Sequence, residues 1–341
     1  MSLVNEAMRT HLEETFGRVT VINLAPVSLS RRFIIRLARL VRVLSGFIKL
    51  LKSIQQWDLL YISPSGGIGQ VYDLFFILTA RILKRRIILH HHNYEYLDRH
   101  SALTALLSYI AGPQAVHVVM CEDMDQRLRG NYSRARKTVV LSHVAMQNYS
   151  PPDGVPRTRL RRIGFISNIT YAKGIKEYLN VVARLEEMGA PVEAFLAGPF
   201  SDKYIRQDIE LCLAQLSSLH YLGPVAGEKK LTFFQDIDVL LLPTHQESVG
   251  LVNLEAISQG VPLIVLARGC IPELFHPEAG VVITDRSDYV KIACRTIIAW
   301  VENPQAYQSA SQKAYARFQA LREHCTGQLE ELMALMADRD R

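Results

Sequence analysis

The sequence predicts an α/β protein made of two doubly wound parallel sheets, each in a domain of its own. Short apolar, β-branched segments alternate with segments of helical periodicity along the whole chain, which is typical of repeated βαβ units. Residues 150–162, rich in proline, glycine and arginine, form the natural linker. With 341 residues, the chain can bury one core on each side of that linker. We expect domains at 1–150 and 151–315, and a C-terminal helix at 316–341 that crosses back to the first domain.

The predicted strands form two series, one on each side of the linker. In the first half they are Val19–Leu24, Leu59–Ser63, Arg86–His91, Val116–Met120 and Thr138–Leu141. In the second half they are Ile163–Ser167, Val192–Ala197, Val239–Leu242, Leu263–Leu266 and Val281–Ile283. A helix, Ser2–Thr15, precedes the first strand, and another covers about 309–337. Ligands of such sheets bind beyond the carboxyl ends of the strands, so we expect the functional residues in the loops that follow the strands.

One basic helix stands out from a composition that is ordinary for a globular protein. The net charge is +6, and residues 30–52 contain seven arginine or lysine side chains and no acidic one. The apolar residues of this helix form a single stripe at helical spacing: Phe33, Leu37, Leu40, Leu44, Ile48 and Leu51. Either this stripe packs on the core and leaves a solvated basic back, or the helix, 31–52, lies on an anionic membrane surface. No nucleic-acid-binding motif is present, so nucleic acid is not an expected partner.

The sequence also bounds where the protein works. Met1 leads into a polar, periodic helix rather than a signal peptide, and no uncharged apolar stretch is long enough to span a membrane. The cysteines are scattered and lack C-x-x-C spacing, which argues against a zinc site. We therefore expect a cytoplasmic protein, which the basic helix could attach peripherally to the inner face of the cell membrane.

The most informative segment is residues 241–262, which combine a strand end, two carboxylates and the start of a helix. Helical periodicity follows Pro243 over 249–259, and Gly260 marks the end of the helix. The first backbone N–H groups of this helix should bind an anion such as phosphate. Ser248 is a natural N-cap, and the expected N–H donors are Ser248, Val249, Gly250 and Leu251. Glu247 and Glu255 could accept hydrogen bonds from hydroxyls at the two ends of one elongated ligand, as in a nucleotide-sugar.

The order strand, Pro-Thr, Glu-Ser-x-Gly-Leu, Glu-Ala, Gly-x-Pro in this segment resembles the donor-binding segment of GT-B glycosyltransferases, in particular the retaining family 4 enzymes (glycosyl transferases group 1). The resemblance implies two Rossmann-like domains that face each other across a cleft. It implies that Glu247 lies beside the transferred sugar as a catalytic residue and that Glu255 holds the ribose. It also implies a nucleoside diphosphate-sugar donor, retention of configuration, no cofactor and no required metal.

Three further segments are similar to parts of the same family. Residues 163–174 resemble its Gly-Arg-Leu-x-x-x-Lys-Gly segment, in which Lys173 matches the lysine that neutralises the diphosphate. Asn168 stands where the arginine is usual, so this clamp on the diphosphate should be weaker. Gly198, in Leu-Ala-Gly-Pro, resembles the glycine turn beside the donor, and Glu273 ends a segment that resembles the Gly-x-Pro-Glu turn beneath it.

Three consecutive histidines end the strand Arg86–His91. Strand alternation sends His91 to the face opposite His90 and His92, which argues against a metal site. In the family that the chain resembles, a histidine at this strand end lies near the transferred sugar. His92 is the first candidate for this catalytic role and His90 the second, either as a hydrogen-bond partner of the sugar or as a base for the acceptor.

These features predict a hexosyltransferase-type enzyme that moves a sugar to a hydroxyl of a glycan or lipid-linked acceptor, as in polysaccharide or cell-envelope biosynthesis. We interpret Gly67, in the loop 65–70, as part of a loop that shapes the acceptor side. That loop leaves a remote alternative, an NAD(P)-dependent oxidoreductase, although Tyr72 occupies the place of the third glycine of a dinucleotide loop. GT-B chains usually begin with a strand and a glycine-rich loop, and we expect that first strand to be missing here. A nucleotide-sugar-binding or degenerate GT-B protein without transfer activity is therefore the main alternative.

Overall fold

The chain divides into two α/β units in its structure, which is a computed structural model. Residues 3–24, 33–146, 149, 156–275 and 277–338 are described. Unit 1 consists of Met1–Gln147 and Cys325–Arg341, and unit 2 consists of Asn148–His324. Three predicted segments lie partly outside the described residues, namely the linker at 150–155, the basic helix at 30–32 and the first predicted helix at Ser2.

Unit 1 consists of a four-stranded parallel sheet and the helices that precede, connect and follow its strands. Its strands are β1 (Leu59–Ile62), β2 (Arg86–His90), β3 (Val116–Val119) and β4 (Lys137–Val140). They form a four-stranded sheet in the order β1-β2-β3-β4. Its helices are α1 (Leu3–Phe16), α2 (Phe33–Lys52), α3 (Gln70–Ile82), α4 (Glu95–Asp98), α5 (Ala102–Ala111), α6 (Glu122–Asn131), α7 (His143–Met146) and, from the end of the chain, α15 (Gln328–Ala337).

The prediction of a first strand at Val19–Leu24 is wrong. Within the described residues this segment pairs with no strand. Ile22 and Leu24 pack against the core of unit 1, and the Val21 carbonyl accepts a hydrogen bond from Lys49 Nζ at 3.0 Å. β-branched residues suit burial against a helix as well as they suit a strand, so composition alone did not distinguish the two.

Helix α2 packs on the core with a different side from the expected stripe. Val43 and Leu50 are buried, whereas Leu44 and Ile48 of the stripe are each 53% exposed. At 100° per residue, Val43, Phe47 and Leu50 form a second apolar sector beside the first. Because α2 is apolar around more than half of its circumference, the spacing of its residues does not reveal which half faces the sheet. The interpretation that the stripe packs on the core is therefore wrong.

Unit 2 contains a larger parallel sheet, which has six strands. They are β5 (Arg162–Ile166), β6 (Glu193–Ala197), β7 (Leu219–Gly223), β8 (Val239–Leu242), β9 (Leu263–Leu266) and β10 (Gly280–Ile283). The order is β10-β9-β8-β5-β6-β7. The helices are α8 (Ile175–Glu187), α9 (Lys203–Gln215), α10 (Glu228–Asp236), α11 (Leu251–Ser258), α12 (Ile271–Phe275), α13 (Tyr289–Glu302) and α14 (Pro304–His324).

The predicted α/β class with two parallel sheets is confirmed, with two further corrections. The edge strand β7 was not predicted. The single helix expected at 309–337 is two helices, α14 and α15, because Gly327 takes a left-handed conformation with φ +88° between them. In the described part of the chain, no helix is both long enough and apolar enough to cross a membrane.

Candidate functional site

Three loops of unit 2 that carry predicted site residues start side by side. β5 pairs with β6 on one side and with β8 on the other, and all three strands are parallel. The loops after these strands therefore leave the sheet at the same edge. The loop after β5 carries Asn168 and Lys173, the turn after β6 carries Gly198, and the loop after β8 carries Glu247.

An ion pair joins the loop after β5 to the loop after β8. Lys173 Nζ lies 2.7 Å from Glu247 Oε2, and both side chains are partly buried. Lys173 ends a short 3-10 turn capped by the Thr170 hydroxyl, and Gly174 follows with φ +82°. A Cβ at Gly174 would lie 2.1 Å from the Pro243 carbonyl oxygen, so glycine is needed for the two loops to approach this closely.

The helix after Glu247 begins later than predicted. It runs over Leu251–Ser258, and its N-cap is Gly250, with φ +73°. The prediction that Ser248 caps this helix is wrong, because Gly250 holds the N-cap position two residues later; the Ser248 N–H donates to Glu247 Oε1 at 3.1 Å. The N–H groups at the open start of the helix are therefore those of Leu251 and Val252, since the Asn253 and Leu254 N–H groups donate to the Gly250 carbonyl.

A buried amide that sequence analysis missed lies behind this turn. The Asn253 side chain is fully buried, and neither its nitrogen nor its oxygen makes a hydrogen bond to another described residue. A Cβ at Gly250 would lie 2.5 Å from Asn253 Nδ2, which places the amide directly against the N-cap. Val249, whose backbone N–H was a predicted donor, directly precedes Gly250 and has a buried apolar side chain.

Glu255 pairs with a lysine that sequence analysis also missed. Lys230, on α10, places Nζ 2.6 Å from Glu255 Oε1 and 2.5 Å from Oε2. Burial raises the pKa of Glu255, and the opposing attraction to Lys230 does not fully compensate. Oε2 is buried, and the Lys230 ammonium is its charged neighbour. The buried Tyr149 hydroxyl makes no hydrogen bond to the described residues, and its pKa is raised by burial and by the charge of Glu255.

A buried carboxylate fixes the loop after β8 in place. Glu177 Oε1, on α8, lies 2.5 Å from Arg286 Nε and 3.2 Å from His245 Nε2. Burial alone would raise the pKa of Glu177, but its backbone hydrogen bond, Arg286 and His245 together lower it. The His245 N–H also donates to the Ala172 carbonyl at 2.9 Å. These contacts hold the loop of Glu247 against the loop of Lys173.

The other predicted site residues of unit 2 are a glycine in a tight turn and two exposed side chains. Gly198 has φ +130°, and a Cβ there would lie 1.8 Å from the Ser167 carbonyl oxygen, so the turn after β6 requires glycine. Asn168, next to Ser167, is exposed. Glu273 is exposed on α12, and its carbonyl accepts a hydrogen bond from Arg317 Nη2 at 2.9 Å.

The histidines at the end of β2 contact different neighbours, as strand alternation predicted. The His91 ring nitrogens lie 2.9 Å from the Tyr96 hydroxyl and 2.9 Å from His117 Nδ1. The His90 and His92 rings are instead 3.9 Å apart between centroids. His90 is fully buried, whereas His92 is partly exposed.

A further buried histidine, His143, completes this cluster and was missed. Its ring centroid lies 5.7 Å from that of His92, and neither of its ring nitrogens hydrogen-bonds another described residue. Burial lowers the pKa of His92 to about 4, that of His117 to about 4 and that of His143 to about 3. All three are therefore neutral at pH 7. Among the described residues no group of His, Cys, Asp or Glu is arranged to hold a metal ion, and metal-independent transfer stays a prediction.

Gly67 lies in unit 1, in a 3-10 turn that leads into α3. The buried carboxylate of Asp73 anchors this turn by accepting hydrogen bonds from Ser65 N at 2.7 Å and Ser65 Oγ at 3.3 Å. Burial raises the pKa of Asp73 to about 6, although these bonds and the charge of Arg39 lower it in part. The loop around Gly67 is thus held from within its own unit.

Comparison with solved structures identifies the fold. The structure of Alr3699/HepE from Anabaena, in complex with UDP-glucose, matches 96% of this chain and 89% of its own with a TM-score of 0.68, at 17% sequence identity. The chain therefore has the fold of the GT-B glycosyltransferases.

Sequence comparison points to one family. Residues 151–317 match the family model described as Glycosyl transferases group 1. The uncharacterized glycosyltransferase MJ1607 of Methanocaldococcus jannaschii is 26% identical over 118 residues, which are 35% of this chain and 30% of that protein. The D-rhamnosyltransferase WbpZ of Pseudomonas aeruginosa is 28% identical over 162 residues, 46% of this chain and 40% of that protein. Each match thus spans less than half of the relative. Residues 151–317, about half of the chain, are thus similar to the group 1 glycosyl transferases.

Proposed function

We propose that the protein transfers a sugar from a nucleoside diphosphate-sugar to a hydroxyl of a glycan or lipid-linked acceptor, with retention of configuration. The observation that carries this proposal is the arrangement of Glu247 and Glu255 in unit 2, each ion-paired with a lysine from another element. The names of both relatives, and the UDP-glucose bound to the structural neighbour, support the same class of reaction.

The polar groups of unit 2 divide between the two ends of such a donor. The carboxylate of Glu255 has more lone pairs than Lys230 occupies, so it can also accept a hydrogen bond from a ribose hydroxyl. Lys173 and the first-turn N–H groups of α11 supply positive charge for the diphosphate. Glu247 can accept hydrogen bonds from the transferred sugar, since the ion pair with Lys173 orients its carboxylate.

In the proposed reaction, the bond between the anomeric carbon and a diphosphate oxygen breaks as the acceptor oxygen bonds to the same carbon. Positive charge develops on the sugar, and the carboxylate of Glu247 would stabilise it. Negative charge develops on the departing diphosphate, where Lys173 and the start of α11 would stabilise it. The acceptor proton passes to the released diphosphate. The proposal includes no metal ion.

His92 would contribute as a hydrogen-bond partner rather than as a base. A histidine whose pKa is about 4 is neutral at pH 7 and can bond a sugar hydroxyl. The same low pKa makes His92 a weak base, so it is poorly suited to take the proton of the hydroxyl that receives the sugar. Of the two roles predicted from the sequence, we therefore propose the first.

Two substitutions test the proposal by separating donor binding from transfer. Calorimetry against UDP, GDP, ADP and their sugars should show one preferred diphosphate. Glu255→Gln should weaken the binding of that diphosphate about tenfold, because the hydrogen bond from the ribose loses its charged acceptor. Glu247→Ala should keep most of the diphosphate affinity and lower transfer about a hundredfold or more. Glu228→Gln, an exposed glutamate on α10, is the matched control and should change neither.

Other outcomes would decide for the alternatives. Full transfer activity in Glu247→Ala would refute the assigned role. Binding of NAD(P)H without any diphosphate would favour an oxidoreductase. Tight diphosphate binding with no transfer to any acceptor hydroxyl would favour a nucleotide-sugar-binding protein.

A further inference from the structure

An apolar surface on unit 1 spans three helices. On α2, Leu44 and Ile48 are each 53% exposed, and Leu40, Val41 and Leu51 are exposed on the same side of the helix. Monomeric soluble proteins rarely expose contiguous apolar patches larger than a few hundred Å². This surface therefore requires an explanation.

Helix α3 extends the surface of α2. Val71, Phe75, Leu78 and Ile82 recur at helical spacing and are all exposed, with Ile82 at 70%. The Phe75 ring lies 6.4 Å from that of Phe47, which joins the exposed side of α3 to the edge of the α2 sector. Helix α5, which packs on α3, adds the exposed residues Leu106 and Tyr109. We call the exposed apolar residues of these three helices the apolar face.

The exposed charges on the helices of the apolar face have one sign. On α2 the exposed Lys52 lies next to Ile48, and the exposed Arg42 lies about 80° further round the helix, away from Leu44. Arg81 and Lys84 are exposed at the end of α3. The sequences of α2 and α5 contain no acidic residue, and the single acidic residue of α3, Asp73, is buried.

We propose that the apolar face docks on the surface of an anionic lipid bilayer, with its apolar residues at the level of the acyl chains and its basic residues at the headgroups. An apolar sector beside a purely basic one is the pattern of helices that lie in a membrane interface. A second copy of the chain would bring like charges together, which disfavours self-association through this face. The proposal does not rest on the proposed transfer reaction, since docking needs no donor or acceptor.

Sedimentation with vesicles tests the proposal without any sugar substrate. The whole chain should bind vesicles of phosphatidylcholine and phosphatidylglycerol at least about tenfold more tightly than vesicles of phosphatidylcholine alone, and salt should weaken that binding. Ile48→Gln with Phe75→Gln should weaken it about tenfold or more, because two apolar side chains no longer enter the lipid. Arg42→Glu with Lys52→Glu should weaken it at least about 25-fold at low salt.

Leu211→Gln provides the matched control, because Leu211 is 62% exposed on α9 of unit 2. This variant should bind vesicles like the unaltered chain. Equal binding to both vesicle types, or unchanged binding by both double variants, would overturn the proposal. The proposal would also be overturned if the unaltered chain bound no vesicles and instead formed a concentration-dependent dimer in light scattering that Ile48→Gln with Phe75→Gln abolishes. The substituted side chains are exposed, so unchanged thermal midpoints would verify that the variants are folded.

Discussion

Acidification should unfold unit 1 before unit 2, because unit 1 buries a cluster of neutral histidines. The ordinary pKa of histidine is 6.5, and burial lowers it to about 4 for His117 and to about 3 for His143. A group whose folded pKa is depressed costs the folded state nothing above pH 6.5. As the pH falls below 6.5, the histidines of the unfolded chain bind protons while those of the folded unit stay neutral, so the free energy of unfolding of unit 1 decreases.

The size of this loss follows from the two pKa values of each histidine. At pH 5 the difference in proton uptake costs about 2 kcal/mol for each of His117 and His143, about 4 kcal/mol together. The pKa values of His90, His91 and His92 are lowered as well, so they add to the loss. Asp73, whose folded pKa is raised, opposes it by only about 1 kcal/mol over the same range. Since a domain is stable by about 5–15 kcal/mol, we expect unit 1 to unfold between about pH 4 and 5.

The two tryptophans of the chain allow each unit to be followed separately. Trp57 is partly buried against the core of unit 1, and Trp300 lies on α13 of unit 2. Fluorescence of Trp300→Phe therefore reports on unit 1, and fluorescence of Trp57→Phe reports on unit 2. Unit 2 should keep its native signal at pH 5, because the lowered pKa of Glu177 places its loss of stability below pH 4.5.

His117→Asn supplies the internal check on the cause. It removes one titrating group from β3 while leaving a polar partner for His91, so the acid transition of unit 1 should become less steep by about one proton. A native Trp57 signal at pH 4, coincident transitions of both tryptophans, or an unchanged steepness in His117→Asn would each refute the reasoning.

Two further substitutions probe buried carboxylates. Lys230→Met leaves the carboxylate of Glu255 without its partner, so the free energy of unfolding of unit 2 should fall by about 1–3 kcal/mol, as measured by denaturant titration of Trp300 fluorescence. Lys229→Met, at the exposed neighbouring residue, should leave the free energy of unfolding unchanged. The double variant Lys230→Met with Glu255→Gln should recover most of the lost stability. An unchanged free energy of unfolding in Lys230→Met alone would show that breaking this ion pair costs no stability. Asp73→Asn should stabilise unit 1 by up to about 3 kcal/mol at pH 7, because the raised pKa of Asp73 penalises the folded state above pH 6. That gain should shrink as the pH falls from 6 toward 3.8, and a gain independent of pH would contradict this origin.

The buried strands were predictable because their residues are apolar on both faces. β8 and β9 are fully buried, and their observed bounds equal the predicted ones. β7, the edge strand that was missed, is mostly half-exposed and reads Leu-His-Tyr-Leu-Gly, without a continuous apolar run. Val19–Leu24 shows the opposite error, since a buried β-branched segment can pack on a helix without joining a sheet.

The start of α11 shows the limit of local rules within the candidate site. Serine is a common N-cap, and Ser248 precedes an apolar helical pattern. The helix nevertheless begins at Leu251, with Gly250 as its N-cap, and the Ser248 N–H donates to the side chain of Glu247. The choice between the two caps depends on where the loop of Glu247 is held, which Glu177 and Arg286 decide from other elements.

The sequence by itself determined the α/β class, the order of most strands and the segment that carries Glu247 and Glu255. These properties depend on periodicity and residue order within a short stretch of chain. Only the tertiary structure decided which lysines pair with those glutamates, and which side of α2 faces solvent. Lys173 is 74 residues from Glu247, and Lys230 is 25 residues from Glu255, so the order of strands in the sheet brings each pair together. The exposed side of α2 was likewise set by packing on α3 and the sheet, because a helix that is apolar on two adjoining sectors can bury only one of them there.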